Sequence, residues 1–428
     1  MSLTEIKKDF PNTFVSDVIE INFIAGENLI DSGSTAFVLT CLALVTLMVP
    51  ALGIFYGGLV RKKNIISMIF LSFLALSLVS IQWVLFGYSL AFGPDIYGLI
   101  GGLDYVGLIG VGMEDTIAEG IPDLLFVAFQ MVFAGISLAI ITSGLAERVK
   151  LSSFVVFGLL WTTLVYDPLA HWAWGGGWAH ALGALDFAGG TVVHISAGFG
   201  ALAVAFVLGK RSGFGVSKMV SAPQNIPLTL LGAGLLWVGW FGFNGGSALA
   251  ADGVAVLAAM NTALAAAAGA LVWVGLSSFY GKPSAVGLVS GALAGLVGIT
   301  PAAGFVDIFP AIIIGGIASV VCYYALIFRV KRGWDESLDA WAIHGVGGLW
   351  GAIATGIFAS SALAGVGGLI EGNVMQFAVN TGEAIIAVIF AFVVTYILAL
   401  FVKKVMGFRV SEVEEELGLD ISNHGERA

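Results

Sequence analysis

The stretch TAFVLTCLALVTLMVPALGIFYGGLVRKK, residues 35–63, decides the fold. It carries no charge from 35 to 58 and then closes on Arg61, Lys62 and Lys63. About 20 apolar residues cross a bilayer as a helix, so the stretch reads as one membrane span with a basic stop. Scanning outward for similar runs between polar or Gly/Pro clusters predicts eleven. They are 35–58, 65–92, 124–146, 152–170, 188–209, 226–247, 253–280, 285–301, 309–329, 340–359 and 376–402. The runs at 98–112 and 361–370 are shorter and glycine-rich, and are placed in loops.

Composition agrees. Of the 428 residues, 58% are apolar and 11% charged, against about 25% charged in a soluble domain. The 59 glycines suit helices that pack closely in lipid, with Gly53/Gly57, Gly291/Gly295 and Gly347/Gly351 as small-xxx-small pairs. Cys41 and Cys322 both lie in apolar runs, which speaks against a disulfide or a metal site.

The net charge of −10 says less than where the bases fall, because topology follows Lys and Arg. Bases follow the odd runs: Arg61 to Lys63, Arg148 and Lys150, Lys210, Arg211 and Lys218, Lys282, Arg329 to Arg332, then Lys403, Lys404 and Arg409. The loops after the even runs hold none, and carry acids such as Asp95, Asp104, Glu114, Asp115, Asp252 and Asp307. The expected protein is therefore all-α and multi-pass in the cell membrane, with its N-terminus outside and C-terminus in the cytoplasm. Residues 1–34 form an acidic outer extension, 35–402 the membrane domain, and 403–428 a cytoplasmic tail. Eleven spans divide as an inverted five-plus-five repeat and one long last helix. Leu185-Asp186 before His194 and Leu338-Asp339 before His344 give faint support.

The membrane interior is expected to be free of Lys, Arg, Asp and Glu, which leaves His194 and His344 as its ionisable groups, about two turns into helices five and ten. Each could be a packing residue. Two at equivalent depth point instead to a site, since neutral imidazoles offer a donor and an acceptor to a small polar cargo. Asp186 and Asp339 open the same helices, where a carboxylate caps backbone amides. It could also lower the cost of a nearby cation. Phe133, Phe243 and Trp174 read individually as core or belt residues, and His171, His180 and His424 as surface or loop residues.

Longer motifs add a resemblance. Asp186-Phe-Ala-Gly-Gly-Thr-Val-Val-His194, Trp240-Phe-Gly-Phe-Asn-Gly-Gly-Ser247, Leu145-Ala-Glu-Arg148, His171-Trp-Ala-Trp-Gly-Gly-Gly177 and Asp339-Ala-Trp-Ala-Ile-His-Gly345 resemble the Amt/MEP/Rh ammonium transporter family, in its Amt branch. Gly418-Leu-Asp420 with His424-Gly-Glu426 is similar to that family's regulatory tail.

The resemblance implies a role for several residues. His194 and His344 match twin pore histidines, Phe133 and Phe243 a stacked gate, and Phe129 a further vestibule aromatic. Trp174 and Ser247 match an outer recruitment site for ammonium, and Asp186 a carboxylate below it. A homotrimer is implied, and so is a PII-type signalling protein as cytoplasmic partner. No cofactor, nucleic acid or metal is called for. The alternatives are an ammonium sensor acting through the tail, or an Rh-type channel for neutral gas. An enzyme has no support, for want of a soluble domain, nucleotide loop or nucleophile constellation.

Overall fold

The structure, a computed structural model, describes residues 30–114, 120–215 and 223–428. Most of the acidic N-terminal extension, Asp115 and Lys218 lie outside the described residues.

Among the described residues, eleven helices are long and apolar enough to cross a membrane. They are α1 (Ser32–Leu59), α2 (Lys62–Phe92), α3 (Asp123–Leu145), α4 (Leu151–Ala181), α5 (Gly190–Leu208), α6 (Ile226–Gly245), α7 (Gly253–Tyr280), α8 (Ala285–Ala302), α9 (Ile308–Arg332), α10 (Trp341–Phe358) and α11 (Val374–Met406). The expected ends shift by four residues or fewer except in α4, which runs on past 170 to Ala181. Two features carry it on. A π-helical turn at Thr162–Tyr166 precedes Pro168, which then sits in the first turn of the next segment, where its missing N–H costs little. His171, expected at the surface, is fully buried, its Nδ1 2.9 Å from Ala91 O and its Nε2 2.9 Å from Asp95 Oδ1. Asp95 opens a small hairpin, β1 (Asp95–Ile96) with β2 (Ile100–Gly101), in the expected loop.

Close packing depends on small residues. A Cβ on Gly295 would lie 2.1 Å from Ala265 O, so α8 lies directly against α7 there. Asp31 starts α1 by accepting the amide of Ser34 at 2.6 Å.

The expectation of a charge-free membrane interior does not hold. Asp167 in α4, Glu383 in α11 and Arg329 in α9 are all buried inside the bundle rather than turned to lipid. Each has a polar partner: Gln82 Nε2 to Asp167 Oδ2 at 2.7 Å, Thr191 Oγ1 to Glu383 Oε2 at 3.1 Å, and Arg329 Nη2 to Asp339 Oδ1 at 2.7 Å. Facing the bundle and pairing is how such groups survive at membrane depth.

Bases after the first, third and fifth spans meet in one network. Glu147 Oε2 takes Arg61 Nε at 2.8 Å and Arg211 Nη1 at 2.9 Å. Asp335 takes Arg211 Nη2 at 2.7 Å and Arg148 Nη1 at 3.2 Å. The tail docks on this end as two short helices, α12 (Glu412–Leu417) and α13 (Leu419–His424). Val410 N donates to Arg148 O at 3.0 Å, and Lys150 N to Phe408 O at 3.1 Å. Glu415 accepts Ser212 N at 2.6 Å and Arg409 Nη2 at 2.6 Å. Asp420 accepts the amides of Ile66 and Ser67 at the start of α2, and the His424 ring lies 4.5 Å from that of Phe70. His424 is therefore a packed residue, not a loose one.

Burial would raise the Asp335 carboxyl, but Arg148 and Arg211 outweigh it and hold the group below the usual carboxylate range. Its contribution is thus present above the ordinary value of about 3.9 and is lost as pH falls through the lowered one. Asp335→Ala should remove about 3 kcal/mol or more by stranding buried arginines. Thermal melting at neutral pH checks this, with the wild type approaching the variant only in strong acid.

Candidate functional site

Two helix starts build the centre of the site. α5 opens with a π-helical turn at Gly190–Ile195 and α10 with one at Trp341–Val346. His194 and His344 stand in these opening turns, shallower than the two turns expected. A π turn carries an extra residue and turns a side chain off the regular face, which is why such turns gather at functional sites. The helices approach closely: a Cβ on Gly198 would lie 2.1 Å from Gly345 N. The two rings face each other, Nδ1 to Nδ1 at 3.2 Å, with centroids 5.2 Å apart. In such a contact one nitrogen donates and the other accepts, so the pair holds opposite tautomers. His194 Nε2 is buried without a protein partner.

Above the pair, Phe133 and Phe243 stack at 4.2 Å and 25°. Phe129 meets Phe133 edge-on at 5.0 Å, and Trp174 does so at 6.3 Å. Trp240 lies flat on His194 at 5.4 Å, a contact that the sequence reading did not assign. Around the histidines the walls are apolar, among them Leu52, Ile140, Leu236 and Phe243, and enclose a cavity of about 10 Å³. That is at the lower limit for a single water.

On the far side of the phenylalanines opens a vestibule of about 470 Å³. Phe133, Trp174, Asp186 and Ser247 line it, together with His180 and Asp252. Phe129 is fully buried behind Phe133 and does not line the vestibule. Gln130 also borders it and was not singled out. Its place one residue after Phe129, in a helix otherwise apolar around it, is the signal that could have found it. At the basic end a third cavity, about 110 Å³, is lined by Phe55, Ser290, Asp339 and Ile343, the last adjoining His344 in sequence.

Asp186 caps α5 as expected. Its Oδ1 accepts Gly189 N at 2.9 Å and Gly190 N at 2.7 Å, and its Oδ2 accepts Thr191 N at 2.8 Å and Val192 N at 3.3 Å. Burial still pushes its carboxyl above the usual value, while these amides pull the other way. Asp339 does not cap in this way; it takes Arg329 instead, from a left-handed backbone at φ 64°. Trp174 is tied to the same loop, its Nε1 donating to Asp186 O at 2.8 Å. Ser247 Oγ donates to Phe243 O at 2.8 Å, so its lone pairs stay available.

A polar stripe on α11, four and then three residues apart, grips this loop from behind. Gln376 Nε2 donates to Gly183 O at 2.8 Å, Asn380 Nδ2 to Leu185 O at 2.9 Å, and Glu383 accepts from Thr191. The helical spacing of these three polar residues in an apolar run was the available signal.

This geometry can be set beside known proteins. The chain matches the model of the Ammonium Transporter Family over residues 36–428. It is 53% identical to ammonium transporter Amt1 of Archaeoglobus fulgidus, covering 92% of this chain and 99% of that one. With an ammonium transporter of Bacillus subtilis the identity is 48%, over 92% and 98%. Among solved structures, Mep2 of Saccharomyces cerevisiae superposes with a TM-score of 0.85 at 38% identity, over 90% of this chain and 88% of that one. A sensor Amt protein does so at 0.85 and 30%, over 92% and 98%. The chain belongs to the ammonium transporter family, as a multi-pass protein of the cell membrane.

Gly198 sets the spacing of the imidazoles. Gly198→Ala, with nowhere for the methyl to go, should cost about 1–3 kcal/mol by overpacking and separate the two rings. Melting temperature reads the first effect, and a structure of the variant the second.

Proposed function

We propose that this chain carries ammonium across the membrane by taking the cation at one mouth and passing ammonia through a dry conduit. The cation rests on the Trp174 face beside the Ser247 hydroxyl, within reach of Asp186. An aromatic face and an oxygen acceptor suit a cation with N–H donors. Ammonium gives up its proton near Asp186, whose burial makes it a better acceptor than a free carboxylate. Ammonia then slips between Phe133 and Phe243 and hydrogen-bonds along His194 and His344. The imidazole pair can also relay the proton, since each ring has one donor and one acceptor. Phe129 backs the upper ring of the gate.

The observation that carries this reading is the imidazole contact of 3.2 Å in an apolar cavity of about 10 Å³ beneath stacked phenylalanines. A bare alkali ion there would lose its water with nothing to replace it. Ammonium escapes the penalty by shedding its charge.

In this proposal the basic end faces the cytoplasm, following the distribution of Lys and Arg. The histidine turns of α5 and α10 support an inverted five-plus-five repeat, each preceded by Leu-Asp and each π-helical. The membrane domain covers 35–402, with residues 1–34 outside and 403–428 as a regulatory tail. A homotrimer and a PII-type partner at the basic face complete the proposal. A neutral-gas channel is less favoured, because Trp174, Ser247 and Asp186 form a cation site that a neutral solute does not need. Sensing remains the second reading, favoured by the docked tail and by the likeness to a sensor Amt protein.

In liposomes, His194→Ala and His344→Ala should each cut methylammonium uptake about tenfold or more, the effect of losing roughly 1.4 kcal/mol. Uptake by the double variant with wild-type rate and selectivity over K⁺ would refute the relay. Truncation after Lys404 should leave uptake measurable if the tail only regulates, and abolish signalling alone if the chain is a sensor.

A further inference from the structure

Away from the histidines, α2 and α4 widen side by side. α2 has a π-helical turn at Trp83–Gly87 and α4 one at Thr162–Tyr166. Gln82 precedes the first and Asp167 follows the second, with exposures of 1% and 0%. They meet through a single contact, Gln82 Nε2 to Asp167 Oδ2 at 2.7 Å. Among the described residues no Lys, Arg or His pairs with Asp167. The nearest titratable side chain in sequence is that of Tyr166, whose phenol lies within electrostatic reach of both Asp167 and Asp186.

The contact leaves two buried oxygens unmatched, Gln82 Oε1 and Asp167 Oδ1. Both are acceptors, so they cannot serve each other while Asp167 is a carboxylate. A carboxyl and a carboxamide are planar groups of one shape. Set edge to edge in one plane, such a pair joined by one N–H···O bond brings its two remaining oxygens side by side. One proton on Oδ1 makes it a donor to Oε1 and closes a ring of two hydrogen bonds. Buried polar atoms are rarely left alone, and that proton satisfies both.

We propose that Asp167 is a proton-binding site, held as the neutral acid in an acid–amide pair with Gln82, and that this pair positions the vestibule wall. The connection to the wall is short. Trp83, next to Gln82, packs edge-on against Tyr166 and Phe92, each at 6.2 Å, and anchors its Nε1 on Val127 O at 3.1 Å. Phe92 meets Phe126 at 5.0 Å, and both line the vestibule. Asp167 touches neither cavity nor cargo and is a positioning residue.

Infrared spectra of the purified full-length protein test the proton directly. The wild type should show the carbonyl stretch of a protonated carboxylic acid near neutral pH, and Asp167→Asn should lose the component that Asp167 contributes. Asp167→Asn keeps a neutral donor toward Gln82 Oε1, so its methylammonium KM and melting temperature should stay within about twofold and 2–4 °C of wild type. Asp167→Ala and Gln82→Leu, which strand a buried partner, should raise KM several-fold while kcat falls less. The absence of an acid band dependent on Asp167 would overturn the proposal, as would an Asp167→Asn variant as impaired as Asp167→Ala. The KM comparison rests on the vestibule being the recruitment site. The infrared result does not, so failure of one reading is distinguishable from failure of the other.

Discussion

A polar atom taken out of water must find a partner or cost several kcal/mol. The buried polar groups of this protein answer that constraint in several ways. Asp186 collects four amides at the head of α5. Glu383 takes Thr191, and Arg329 takes Asp339. The histidines satisfy one nitrogen each by facing one another. His194 Nε2 is one of the buried atoms without a protein partner, on a residue that lines an apolar chamber. Such an atom invites a small hydrogen-bonding guest, and the chamber volume sets its size.

The same constraint explains why the loops on the basic side are so ordered. Arg148 and Arg211 are buried beneath the tail, and their charges are tolerated because Asp335 and Glu147 meet them. Glu415 binds the amide of Ser212 and the guanidinium of Arg409, so α12 completes the network rather than hanging from it. Asp420 then fastens α13 to the start of α2. Movement of the tail would therefore disturb the loops that carry Arg148 and Asp335, and Asp335 lies four residues before Asp339 in the loop leading to His344.

Much of this was legible in the sequence because hydropathy and charge are local quantities. The apolar runs placed ten of eleven helices within four residues at both ends, and the alternation of basic and bare loops supports the count. The fourth span was misjudged where His171 seemed to mark a surface, since its partners, Ala91 O and the Asp95 carboxylate, come from another segment. Asp167 and Glu383 stand inside the runs 152–170 and 376–402, each a single charge among apolar neighbours, so the sequence itself contradicts a charge-free interior. The π-helical turns left no signal at all. The aromatic and histidine positions were named by resemblance, and chain-internal reasoning alone would have left Phe133, Phe243 and Trp174 in the core. The charges of the tail leave both a solvated and a structured surface open, and only the partners of Glu415 and Asp420, namely Ser212 N, Arg409 and Ser67 N, decide for the structured one.

The most direct measurement is electrical current across membranes reconstituted with the pure protein, on addition of ammonium and then of K⁺ at equal concentration. A conduit that strips charge from its cargo and pairs its imidazoles should admit ammonium, with or without net current, while K⁺ yields none. A K⁺ current comparable to that for ammonium would mean a hydrated path past Phe133 and Phe243, and would contradict the dry pore on which the mechanism rests.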